Sequence, residues 1–211
     1  MNRRHFATAT VAIIAGSLAT TRATPGANVP PVEFDAEDYA AVRFIANAED
    51  PIRSVSVRVS EWADEDAADH HREQVVARAG SDLPRGEFYQ SEPVRHVLPP
   101  ELSTLPATAV TWNTTVGVAA YRTEWVLLSA RRQAVVWDLG ISGGEPAPVL
   151  DLAVALAMDL TARSVVAGSD LDRLLPKPGQ LPDGMTLEYR MTPDGTFDAK
   201  GTPMPEASPN H

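Results

Sequence analysis

Apolar and polar positions alternate most cleanly between residues 52 and 62, where Val55, Val57 and Val59 take every second place and Ser54, Ser56, Arg58 and Ser60 fill the gaps. A period of two marks a strand with unlike faces. It predicts an outer or half-covered strand of an antiparallel sheet, one face on the core and one in water. The stretch that organises the chain is 116–163. Within it, runs rich in Val, Leu and Trp at 124–130 and 133–141 predict a hairpin with Arg131 and Arg132 at its loop. In the second run Val135, Trp137, Leu139 and Ile141 share one face, and Ala134, Val136, Asp138 and Gly140 the other. Both faces are largely apolar, which predicts a central strand. Ser142-Gly143-Gly144 then interrupts the pattern, and Pro146 and Pro148 supply the fixed φ that suits a first helical turn. Residues 149–165 are mostly Ala, Leu, Val and Met, with only Asp151, Asp159 and Arg163 charged, and predict a helix lying on the sheet.

The other segments give weaker patterns. Ala40, Val42, Phe44 and Ala46 alternate, so a strand is expected from Tyr39, although Asp35 would also suit the cap of a short helix. Asp64, Glu65 and Asp66 place negative charge where a helix dipole favours it, and an amphipathic helix is expected over 67–79, ended by Gly80. Residues 88–98 read as an irregular strand broken by Pro93, and 99–106 as a loop. Short strands are expected at 108–112 and 116–122 around a turn at Asn113-Thr114-Thr115, a helical turn within 169–175, and one edge strand over 185–191. The fold class is α+β, a mainly antiparallel sheet packed by two or more helices in a single domain. The expected division is an export signal at 1–23, a linker at 24–31, a globular domain at 32–175 and a Pro-rich extension at 176–211 that becomes disordered after its strand.

A length of 211 residues at 44% hydrophobic suits one core with tails. Cysteine is absent, which excludes a disulfide, a thiolate nucleophile and a lipid-modified Cys, and leaves His and carboxylates as the available zinc ligands. The amino terminus carries a basic start at Asn2-Arg3-Arg4-His5-Phe6, an apolar run over 7–19 and small residues beyond, the three parts of an export signal. The pair Arg3-Arg4 followed by x-Phe6 resembles the bacterial twin-arginine class; the competing reading is an ordinary secretory signal that begins with two arginines. Both predict an extracytoplasmic protein, secreted or at the bacterial cell envelope. Cleavage is expected after Ala19 or Ala23, the later site fitting better. Residues 1–23 hold three arginines and no acid, so their removal takes the formal charge from −10 to −13. That balance opposes nucleic acid and anionic lipid as partners. The helix at 149–165 has fewer than 18 consecutive apolar residues and two aspartates, too short and too charged for a membrane span.

Candidate chemistry is sparse. No G-x-S-x-G elbow occurs, and 140–144 precedes a helix without the Lys of a phosphate loop, so no cofactor is expected. Asp66, His70 and Glu73 share a helical face at a spacing that suits a divalent ion, though a solvated face explains them more simply. His71 falls with Ala67, Ala68 and Val75 on the other face and is expected to be partly buried. Asp138, in a central strand, calls for an arginine partner. Trp112, Trp125 and Trp137, with Asp138, are the candidate ligand-binding residues, with core packing as the competing reading.

Residues 127–163, with Arg131-Arg132, the run Val135-Val136-Trp137-Asp138-Leu139-Gly140-Ile141-Ser142-Gly143 and the helix through Leu156, Leu160 and Arg163, resemble the end of a family of exported bacterial α/β domains. These include lipoproteins and the extracellular sensor domains of serine/threonine kinases. Residues 116–121 resemble the strand entry before that hairpin. Where such domains often carry Gly-Asn at the turn, this chain has Gln133-Ala134, and it has neither a lipobox Cys nor a kinase. The resemblance implies an antiparallel sheet packed by helices with a cleft for a ligand or partner, and transfers no catalytic residue. The expected function is therefore a non-catalytic binding domain for a small ligand or an envelope protein. The alternatives are a metal-assisted hydrolase using His70 with Asp66 or Glu73, and a structural envelope protein whose Pro-rich tail is a spacer.

Overall fold

The computed structural model describes residues 36–79, 88–116, 121–163, 165 and 170–204; the expected export signal and linker lie outside them. Among the described residues nine strands form one sheet: β1 (Asp38–Ile45), β2 (Ile52–Glu61), β3 (Phe88–Gln90), β4 (Val94–His96), β5 (Ala107–Val116), β6 (Tyr121–Arg132), β7 (Val135–Gly143), β8 (Thr186–Thr192) and β9 (Gly195–Asp198). The order across it is β3-β5-β6-β7-β2-β1-β8-β9, with β4 also on β5, and every pairing is antiparallel. Three α-helices accompany it among the described residues: α1 (Glu65–Arg78), α2 (Pro100–Ser103) and α3 (Pro146–Ala162). The architecture is α+β with strands dominating.

The expected central hairpin forms, with a shorter turn. Arg131 and Arg132 belong to β6, paired with Val136 and Val135, and the turn is Gln133-Ala134. Gln133 takes the left-handed conformation, φ 54°, that L residues usually avoid. Its carbonyl accepts a hydrogen bond from Arg131 Nη1 at 2.9 Å, which holds the turn. All nine residues of β7 are buried, as befits a strand flanked by β6 and β2.

The core lies on one face of the sheet. Val55, Val57 and Val59 of β2, Val126 and Leu128 of β6, and Trp137, Leu139 and Ile141 of β7 point into it. Opposite them α3 presents Val149, Ala153, Leu156, Ala157 and Leu160, at steps of four and three that form a single stripe. Gly143 sets how closely the two layers approach. A Cβ there would stand 2.1 Å from the Pro51 carbonyl oxygen and 2.7 Å from Val149 Cγ2.

Helix α1 covers the other face where β6 and β7 run beneath it. Asp64 caps it, its Oδ1 accepting the Ala67 N–H at 2.8 Å, and Glu65 and Asp66 occupy the first turn. Ala68, His71 and Val76 are its buried residues. Arg131 clamps the helix to the sheet, donating from Nε and Nη2 to the two carboxylate oxygens of Asp69, each at 2.9 Å, and from Nη1 to Glu65 at 2.7 Å.

Four expectations need correction. β2 is a central strand, and its Ser54, Ser56, Arg58 and Ser60 are buried instead of wet. Regular alternation distinguishes two faces but cannot tell a solvated polar face from one sealed by hydrogen bonds. Asn113-Thr114-Thr115 is no turn: β5 runs through it to Val116 in register with β6, and of the second strand expected, at 116–122, residues 117–120 lie outside the described residues while Tyr121 and Arg122 begin β6. The loop expected at 99–106 contains α2, which buries Leu102. Finally, the extension expected to hold one strand and then disorder supplies two. β8 pairs with β1, and β9 forms the outer edge beyond it, tied down by a bridge between Phe197 and Pro203. The expected edge strand is thus an interior one.

Candidate functional site

Two features stand out, one sealed and one open. The sealed one is built by the register of β2 on β7, which sets Arg58 opposite Asp138 beneath α1. Arg58 Nη2 donates to Asp138 Oδ2 at 2.7 Å, and His71 Nε2 lies 2.9 Å from the same oxygen and 3.1 Å from Arg58 Nη2. Ser129 Oγ donates to Asp138 Oδ1 at 2.7 Å. Trp62 stacks on the His71 ring, centroids 4.4 Å apart, and donates from Nε1 to Ser60. Burial alone would push the Asp138 carboxyl up, but the adjacent Arg58 and His71 outweigh it and hold the group well below the usual carboxylate range. The arginine expected beside Asp138 is therefore Arg58, and His71 is fully buried rather than partly so.

A serine, a histidine and an aspartate in contact invite comparison with a hydrolase triad, which needs the serine on the imidazole. Here Ser129 and His71 bind opposite oxygens of the carboxylate, and all three residues are at most 2% exposed. The geometry is that of a strut between helix and sheet.

The proposed tryptophan site is not assembled. Trp112 and Trp125 lie on the α1 side as a parallel pair, rings 6.3 Å apart and 8° from coplanar, with Trp125 Nε1 donating to Thr114 at 2.9 Å. Trp137 is fully buried on the opposite side, in the core under α3. Alternation along β6 and β7 separates them: Trp125 stands opposite Ser142, whereas Trp137 stands opposite Ala130. Asp138 shares the face of the tryptophan pair but is spent on its own network. Asp66, His70 and Glu73 are all exposed on α1, where His70 contacts Gln74 at 2.6 Å. Among the described residues no three His, Asp or Glu are placed to hold a metal, so the hydrolase reading has no ligand set there.

The open feature is a cleft of about 560 Å³ between the start of β1, a 3-10 turn at Leu171–Leu174 and the β8–β9 hairpin. Tyr39, Leu187 and Phe197 give it aromatic and apolar surface, and Arg190 crosses it to pair with Asp172. Asp38, Asp170, Asp194 and Asp198 complete an acidic wall. Several of these carboxylates hold their own turns. Asp170 accepts the Asp172 N–H at 3.0 Å, and Asp198 accepts the N–H groups of Thr202 and Lys200, each at 2.8 Å. The Thr202 N–H, with that of Lys200, keeps the Asp198 carboxyl below its ordinary value. Burial raises the Tyr39 phenol, as does Asp38 beside it.

Comparison with known proteins adds little. No protein-family model matches the chain, and no curated protein is significantly similar to it. Among solved structures it is similar to a protein of unknown function from Pseudomonas aeruginosa, described as a candidate regulator, at 16% identity over 67% of this chain and 92% of that one. The TM-score is 0.31, too loose an overlap to argue from.

Arg58, Ser129 and the cleft residues escaped sequence reasoning. A signal for the first existed: Asp138 is the one charge in β7, β2 carries Arg58 in its middle, and opposite charges inside strands are buried in pairs. For the cleft there was none, since its walls come from residues 38–40, 170–172 and 187–201.

Proposed function

We propose that the chain is an extracytoplasmic, non-catalytic binding domain of the bacterial cell envelope, taking a small ligand or an envelope protein at the cleft beside β8 and β9. The observation that carries this reading is the cleft itself: an open concavity in which Tyr39, Leu187 and Phe197 stand among a mainly polar, acidic lining, giving apolar contact and fixed charge side by side. The buried network supports it from the other side. The convergent Ser, His and Asp are committed to holding α1 on the sheet, out of reach of any substrate. The signal at 1–23 supports export, and the resemblance of 116–163 to exported bacterial α/β domains agrees with a binding role. An acidic wall and a net charge of −13 after signal removal disfavour anionic ligands, nucleic acid among them.

A thermal-shift screen of the mature chain tests the proposal, with Phe197→Ala as the control. A compound present at 100 times its Kd stabilises the protein by about 2.7 kcal/mol. Compounds that raise the melting temperature of the wild type and leave Phe197→Ala unmoved are expected. Hits that stabilise both equally would place binding elsewhere, and catalytic turnover of a hit would remove the non-catalytic part of the reading.

A further inference from the structure

We draw no further inference here: the strongest candidate, the ring of aspartates around the cleft between β1 and the β8–β9 hairpin as a seat for a cationic ligand, belongs to the site already described and is an acidic cluster whose carboxylates largely hold their own turns, with no second observation that points to a particular ligand.

Discussion

Replacing Arg58 by Met leaves the Asp138 carboxylate buried beside His71 and Ser129 without its guanidinium. The Asp138 side chain is 0% exposed and that of Arg58 7%, so solvent screens the pair hardly at all. Removing one partner of such a pair costs about 3–5 kcal/mol, because the charge left behind is uncompensated. At roughly 2–4 °C per kcal/mol for a domain of this size, the melting temperature should fall by about 6–20 °C at pH 7. Removing both charges, as Arg58→Met with Asp138→Leu, should recover part of that loss, since neither the carboxylate nor the guanidinium is then buried alone, while His71 and Ser129 lose their acceptor. Acid provides a second arm. The folded-state carboxyl of Asp138 lies below its ordinary 3.8, so its contribution is complete above that value and is lost as pH falls toward the folded value. The stability gap between wild type and Asp138→Asn should therefore be flat from about pH 5 to pH 7 and narrow below about pH 4. Denaturant unfolding of the mature chain reads all of these. An Arg58→Met loss under about 1 kcal/mol, or a double variant as unstable as the summed single ones, would refute the reasoning.

Leu156→Asp should prevent folding, because it places an unpaired carboxylate in the stripe of α3 that meets the sheet; circular dichroism of the chain without residues 1–23 would show it. Gly143→Ala should cost about 1–3 kcal/mol, measured by urea unfolding, since its Cβ has no room against Pro51 and Val149. Truncation after Lys200 removes the bonds from Met204 N–H to Thr196 O, from Asp198 N–H to Thr202 O, from Gly201 N–H to Asp198 O and from Thr202 N–H to Asp198 Oδ1. All lie on an exposed edge where water replaces the lost partners, so the change in stability should stay within about 1–2 kcal/mol. Arg3→Lys with Arg4→Lys should leave the precursor in the cytoplasm on cell fractionation, because ammonium groups do not reproduce the planar guanidinium pair that the twin-arginine route reads.

The parts of this fold legible in the sequence are those in which local pattern and tertiary environment agree. The run from Val135 to Gly143 is apolar on both faces and became the central strand, and the prolines before Val149 marked the start of α3. Where the two disagree, the pattern misled. Polar residues of β2 looked solvated because Ser54 and Arg58 find buried partners in Ser142 and Asp138, which no local window contains, while Ser60 accepts from the nearby Trp62. Of the carboxy-terminal strands β8 was expected, as an edge, and β9 hid behind Pro and Gly, which serve here as turns: Gly184 and Gly195 take positive φ at the entry to β8 and at the start of β9. That hairpin forms one wall of the cleft, so misreading it as an extension also removed the open site from view. The tryptophans failed as a site because residues at odd and even positions of neighbouring strands point to opposite faces of the sheet, and only register decides which ones meet.

The central claim is that this domain binds at the cleft and performs no chemistry there. Nitrogen–proton correlation spectra of the mature chain, recorded as neutral, cationic and anionic fragments are added, test it most directly. The account predicts that bound fragments shift the amides of Tyr39, Leu187, Arg190 and Phe197 together and emerge unchanged. Shifts confined to other parts of the sheet, or conversion of a fragment during the titration, would contradict it.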